Sequence, residues 1–80
     1  MFRLSEGVSH TAFLKKVQEC VGEVLFENAE GDVLNLKSML SQFVFAASFL
    51  RPEIVRSAQV LCAEPEDYRR LRDYLTETEG

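Results

Sequence analysis

The stretch NLKSMLSQFVFAASFL, from Asn35 to Leu50, decides the fold because it has to form a helix and also cover a sheet. Its apolar residues recur at helical spacing after a Lys-Ser pair, which predicts a helix over Lys37–Leu50 that ends before Pro52. The residues predicted to face the sheet are Leu36, Leu40, Phe43, Ala47 and Leu50.

This helix is too apolar for one sheet face to hide, because the residues beside the inward stripe are also hydrophobic. An exposed apolar patch is typical of a surface that binds a partner or a second copy of the chain. The alternative is that the end of the helix packs against the loop Pro52–Arg56 and the strand that follows. The residues predicted to contact a partner are Met39, Phe43, Val44, Phe45 and Phe49.

Short β-prone runs and turn signals lie on both sides of this helix. Two of the runs are joined only by Ala29-Glu30-Gly31, which predicts a hairpin. Two further helices are predicted, one over Ser9–Val21 with Ser9 as its N-cap and one opened by Glu64-Pro65-Glu66-Asp67. The predicted strands are Met1–Ser5, Val24–Asn28, Asp32–Leu36 and Ser57–Ala63.

The element order β-α-β-β-α-β-α predicts one two-layer α+β domain over residues 1–80. Three helices are expected on one face of a four-stranded antiparallel sheet. The segment Glu77–Gly80 is predicted to be a frayed tail. The residues that the last helix is predicted to turn towards the core are Tyr68, Leu71, Tyr74 and Leu75.

Composition narrows the function classes. The net charge is −4 with nine Lys and Arg residues, which argues against nucleic-acid binding. The longest apolar run is far shorter than the roughly 20 residues of a membrane span, and the N-terminus does not read as a leader. We therefore expect a cytoplasmic protein without membrane insertion. Two cysteines and one histidine predict neither a disulfide scaffold nor a metal site, and we expect no cofactor and no enzyme active site.

Three stretches follow the order and the strand-to-helix transitions of one known family: EVLFENAEGDVLNLKS (Glu23–Ser38), LNLKSML (Leu34–Leu40) and SAQVLCAEPEDYRRLRDYL (Ser57–Leu75). They resemble the central hairpin, the Lys-Ser helix start, and the last strand and helix of the HPr family. These bacterial phosphocarriers belong to the phosphoenolpyruvate:sugar phosphotransferase system. The resemblance implies an HPr-like open-faced β-sandwich. It also implies partners among phosphotransferase-system enzymes, kinases and transcription regulators.

The phosphoacceptor motif of that family is altered in this chain. In the family, a Gly-apolar-His-(Ala/Thr/Ser)-Arg-Pro segment begins the first helix, and the corresponding segment here is GVSHTAF, Gly7–Phe13. Ser9 occupies the histidine position in the alignment that the following helix favours, and His10 lies one place later. The arginine and the proline are both replaced. The chain therefore keeps a helix start but lacks the arginine that commonly binds phosphoryl oxygens at such a site.

Ser38 has two interpretations. In Gram-positive members of the family, the serine that matches Ser38 is phosphorylated by a dedicated kinase, so the resemblance implies a regulatory phosphorylation site. A phosphate at a helix N-terminus is favoured by the helix dipole and by free N–H groups. The alternative is that Ser38 serves only as the N-cap of the helix.

Three functional hypotheses result. The first is an HPr-like domain that has lost histidine phosphoryl transfer and acts as a regulatory or protein-docking domain, with Ser38 as a phosphorylation site. The second is a divergent phosphocarrier that uses His10. The third is a structural or dimerisation domain in which the central helix forms a homodimer.

Overall fold

Short helices and strands are interspersed along the chain in the computed structural model, which describes residues 1–78. Each predicted element is present, and most are shorter than predicted. One helix, the third along the chain, and the last strand were not predicted. The elements are β1 (Phe2–Leu4), α1 (His10–Val17), β2 (Val24–Glu27), β3 (Val33–Asn35), α2 (Met39–Ser48), α3 (Pro52–Ser57), β4 (Gln59–Cys62), α4 (Pro65–Arg70), a 3-10 turn (Arg72–Tyr74) and β5 (Leu75–Glu77).

The strands form two antiparallel sheets where one four-stranded sheet was predicted. β2 is the central strand of a three-stranded sheet in the order β3-β2-β4, and Phe26 lies opposite Leu34 on one side and Val60 on the other. β1 pairs with β5 and lies beside β4 without forming a ladder with it. The α+β class is confirmed, but residues 1–78 contain four α-helices and five strands instead of three and four.

The C-terminal segment differs most from the prediction of one helix and a frayed tail. α4 ends at Arg70, and after the 3-10 turn the chain enters β5 at Leu75. Leu75 pairs with Leu4, and the N–H of Thr78 donates to the carbonyl of Met1 at 2.7 Å. The first half of the predicted tail is therefore held by a partner strand that is distant in sequence. Residues 79 and 80 of that tail lie outside the described residues.

The loop predicted after the long helix is the short helix α3. Pro52 is at its first turn, where its fixed φ suits a helix and its missing N–H costs no hydrogen bond. The same residue that prevents α2 from continuing thus begins α3.

The core surrounds Phe45 of α2. The ring of Phe45 lies edge-on to Phe26 of β2 at 4.8 Å and contacts Phe13 of α1 at 5.7 Å. Such aromatic pairs add to the stabilisation that burial of their area supplies. The buried apolar residues are Phe13, Val17, Cys20, Val24, Phe26, Leu36, Phe45, Ala58, Val60 and Leu71.

α2 turns towards the core the side opposite to the predicted one. Phe45 is fully buried, and the Nε2 of Gln42 donates to the carbonyl of Leu36 at 3.0 Å on the same side. Because apolar residues occur all around α2, their pattern does not select a face, and the aromatic contacts of Phe45 do. Of the predicted inward stripe only Leu36 is buried; the exposed members are Leu40 (75%), Phe43 (69%), Ala47 and Leu50 (85%).

A buried carboxylate joins α4 to the segment that follows α1. Asp67 is fully buried and accepts hydrogen bonds from the N–H groups of Val21 at 3.0 Å and Gly22 at 2.8 Å. Nη1 of Arg70 donates to the same carboxylate at 2.9 Å. Burial acts to raise the pKa of Asp67, but the three donors outweigh it and hold that pKa below its usual value. Asp67 is therefore an ionised staple between α4 and the segment that follows α1, which the sequence does not connect directly.

Candidate functional site

A groove of about 490 Å³ runs between α1 and α2. The two helices run in opposite directions along it. At one end the His10 ring, at the start of α1, lies 4.9 Å from the ring of Phe49, which follows α2. At the other end Gln18 donates to the carbonyl of Leu36 at 3.5 Å. The groove is lined by His10, Thr11, Leu14, Lys15, Gln18, Met39, Gln42, Phe43 and Ala46.

Ser9 is the N-cap of α1, as predicted. Its backbone is extended, and its Oγ accepts a hydrogen bond from the N–H of Ala12 at 3.2 Å. This hydroxyl therefore serves the helix start at the position where the HPr motif has histidine. His10 is the first residue of α1, and its half-buried ring packs on Phe49 at the groove's end.

A second depression, of about 390 Å³, adjoins Phe49. It is lined by Arg56 of α3 together with Gly7 and Val8, the segment that precedes α1. Arg56 therefore lines the same depression as the segment that precedes α1, where the arginine of the family motif is missing. Motif comparison cannot find Arg56, because it comes from a distant part of the chain and reaches the helix start only through the fold.

Ser38 occupies the N-cap position of α2 without capping it through its side chain. Its backbone is extended and its carbonyl accepts from the N–H of Gln42 at 3.0 Å, but its hydroxyl makes no capping hydrogen bond. The residue is exposed. The neighbouring Lys37 is directed away, since its Nζ donates to the carbonyl of Cys20. The hydroxyl of Ser38 is therefore accessible at a helix start.

Ser38 and His10 lie at opposite ends of the α1–α2 groove. His10 is at the start of α1, whereas Ser38 precedes Met39 at the end where Gln18 contacts the Leu36 carbonyl. Since an eight-residue helix is about 12 Å long, the two positions are separated by roughly the length of α1. They adjoin the same groove, but the arrangement is not one of two groups acting on a common phosphate.

The predicted partner-binding residues divide between the surface and the core. Met39 is 74% exposed, and Phe43 and Val44 are also exposed. The prediction is wrong for Phe45, which is fully buried among aromatic rings. Phe49 is half-buried and packs on Phe45 at 5.1 Å, so it can offer a partner only an edge.

The sequence interpretation missed the polar and basic side of the groove. The wall of the groove that faces Met39 and Phe43 consists of Leu14 and Lys15 of α1 and of Gln18, the C-cap of that helix. Their three- and four-residue spacing marks one face of a helix and was a usable signal.

The two thiols are structural. Burial raises the pKa of Cys20, and burial raises the pKa of Cys62 to about 12, with the negative charge of Asp67 acting in the same direction on both. Both thiols therefore lose their protons less readily than a free cysteine does. Within residues 1–78, no three His, Cys, Asp or Glu side chains come together in a way that could hold a metal ion.

The described helices are all too short or too polar to cross a membrane. Comparisons of the chain with protein-family models, with curated proteins and with solved structures give no match.

Proposed function

We propose that this chain is an HPr-like docking domain of the bacterial cytoplasm that regulates sugar phosphotransfer through protein contacts and does not carry phosphate on histidine. A helix of a partner protein lies in the α1–α2 groove. The observation that carries the proposal is the exposure of Met39 and Phe43 opposite Leu14 and Lys15. A groove with apolar walls between two helices is suited to an amphipathic helix, which inserts residues spaced by three and four positions.

Charge narrows the class of partner. The chain carries a net charge of −4, yet none of the described residues that line the groove is acidic, and Lys15 is basic. Complementary charge around an apolar contact increases the association rate and the specificity. The partner helix is therefore expected to flank its apolar anchors with Asp or Glu. Phosphotransferase-system enzymes, a kinase or a transcription regulator are the partner types that the family resemblance suggests.

Ser38 provides the control of this docking. A phosphate on its hydroxyl adds roughly −1.5 to −2 charges at neutral pH. The N-terminus of α2 favours that charge through its dipole and its free N–H groups. Because Ser38 directly precedes Met39 at one end of the groove, the phosphate repels an acidic partner helix and lowers its affinity.

Photo-crosslinking tests the docking surface. A benzoylphenylalanine placed at position 43 in cells should crosslink a partner, whereas the same group at exposed Val21, which does not line the groove, should not. The captured protein is then purified and titrated against the chain. Its affinity should fall at least about tenfold with Phe43→Ser and stay unchanged with Val21→Ser. Equal affinities for the two variants contradict the proposed surface.

Phosphorylation tests the control site. ATP and an HPr-type kinase should give an acid-stable phosphate that disappears in Ser38→Ala. It should remain in Ser57→Ala, which removes another serine whose hydroxyl only contacts the carbonyl of Ile54. If the wild-type chain takes up no label, or if Ser38→Ala keeps the label, Ser38 is not the control site.

A phosphocarrier that uses His10 is the second candidate. Arg56 favours it, because this residue of α3 lines the same depression as Gly7 and Val8, which precede α1. Phosphoenolpyruvate and the general phosphotransferase enzyme would then give an acid-labile phosphate. That label should disappear in His10→Ala and diminish in Arg56→Gln. Acid-labile label with both properties would replace the docking proposal.

A further inference from the structure

The exposed side of α2 carries an apolar repeat that no other described part of the chain covers. Its members recur at spacings of three, four and three residues, the pattern by which one helix packs along another. They are the residues of the predicted inward stripe that the structure turns outward. This outer ridge consists of Leu40, Phe43, Ala47 and Leu50.

The segment that carries the outer ridge contains no charge. From Ser38 to Leu50 there is no Asp, Glu, Lys or Arg, although charged residues make up 28% of the chain. The opposite side of α2 is already packed on the core through Phe45. A helix that is apolar on all sides is normally buried on all sides. The outer ridge therefore lacks the polar side chains that are expected on the solvent-exposed face of a helix.

We propose that the outer ridge binds a second copy of itself, with the two α2 helices antiparallel about a two-fold axis. The axis passes between Phe43 and Val44. Leu40 of each copy then lies over Ala47 of the second copy, so that a large side chain meets a small one at both ends. Val44, about half exposed, completes the contact beside the axis.

Three properties of the surface favour a second copy over another occupant. An uncharged ridge brings no like charges together when it meets itself, and a two-fold contact needs a patch that complements itself. The antiparallel arrangement also opposes the two helix dipoles. The exposed side chains of the outer ridge and of the flanking Met39 also form an apolar patch, which is typical of a surface on which proteins associate.

The dimer goes beyond the proposed docking function and acts on it. Phe43 belongs both to the outer ridge and to the α1–α2 groove. A copy in the dimer therefore cannot hold a partner helix against Phe43. Self-association keeps the docking groove closed until a partner competes for it.

Sedimentation equilibrium over a hundredfold range of protein concentration tests the dimer. The wild-type chain should change from monomer to dimer across the range. Ala47→Glu should weaken the dimer by at least about tenfold, because it places a carboxylate under Leu40. The matched control is Ala29→Glu, which adds the same charge at an exposed turn and should dimerise like the wild type. Circular dichroism establishes that each variant is folded.

A charge-pair experiment tests the register. Leu40→Lys and Ala47→Glu should each dimerise more weakly than the wild type when alone, and an equimolar mixture should form a heterodimer because the lysine lies over the glutamate. A wild-type chain that stays monomeric at every concentration overturns the proposal. So does an Ala47→Glu variant that dimerises like the wild type, or a mixture that remains monomeric. None of these results affects crosslinking of another protein at position 43, so the docking function fails or stands separately.

Discussion

α1 and α2 pack side by side but are held by different kinds of interaction. Both follow a serine with extended backbone, and only Ser9 of α1 uses its hydroxyl as a cap. Beyond the end of α1, Asp67 binds two backbone N–H groups. α2 is positioned mainly by the burial of Phe45. Hydrogen bonds thus define where α1 begins and anchor the segment after it. The position of α2 depends on packing, and the side of α2 that faces away from the core is also apolar.

The largest effect should come from truncating the packing of α2. Phe45→Ala should lower the free energy of unfolding by about 4 kcal/mol, because a buried ring that contacts three aromatic neighbours is lost. Phe43→Ala, two residues away and mostly exposed, should change it by less than about 0.5 kcal/mol. Urea unfolding of both variants measures the difference. Equal losses would show that α2 does not face the core with Phe45.

The staple beyond α1 should rank next. Asp67→Ala leaves two backbone N–H groups without their acceptor and removes the nearer carboxylate from Arg70, so the free energy of unfolding should fall by about 3 kcal/mol. Glu66→Gln removes an exposed partner of the same arginine and should cost less than about 0.5 kcal/mol. Chemical unfolding compares them. A Glu66→Gln loss as large as that of Asp67→Ala would assign the stabilisation to surface charge instead.

Acid should remove the contribution of the staple. Because the folded state holds the pKa of Asp67 below its usual value of about 4, the ionised carboxylate stabilises the fold fully above that value. The stabilisation is lost as the pH falls below about 4 and through the lower pKa of the folded state. Urea midpoints followed into that range should decrease for the wild type. The urea midpoint of Asp67→Asn should decrease less. If its pH profile were identical to that of the wild type, Asp67 would not be a source of the acid sensitivity.

The smallest effect separates the two serines. Ser9→Ala removes a formed cap and should cost about 1 kcal/mol. Ser38→Ala removes a hydroxyl that makes no capping bond and should change the free energy of unfolding by less than about 0.5 kcal/mol. Thermal or urea unfolding of the two variants measures this difference in the free energy of unfolding. A loss at Ser38 that equals the loss at Ser9 would mean that the Ser38 hydroxyl caps α2 after all.

The parts of the fold that could be predicted are those with local signals. The hairpin was predicted from its short Gly31-containing connection, and Gly31 indeed has a φ of +88° in that turn. Ser9 was predicted as a cap from its position before an apolar repeat, and its side chain makes the bond. In both cases the residues that decide the structure are neighbours in sequence.

The parts that were missed depend on distant contacts. β5 is a strand because β1 lies beside it, and nothing within Leu75–Glu77 requires that pairing. The face of α2 is selected by Phe26 and Phe13, which belong to other elements. The docking groove likewise needs both helices in place before Lys15 meets Phe43. The sequence therefore predicted the site residues on α2 only as a group, and it could not distinguish Phe45, which belongs to the core, from the exposed members.

The pairing of β1 with β5 brings the two ends of the described chain together. The carbonyl of Met1 and the N–H of Thr78 are joined by a 2.7 Å hydrogen bond. The two ends of the described backbone are therefore neighbours in space. A short linker between them and new ends within the turn Ala29–Gly31 would give a circular permutant that keeps every helix and strand.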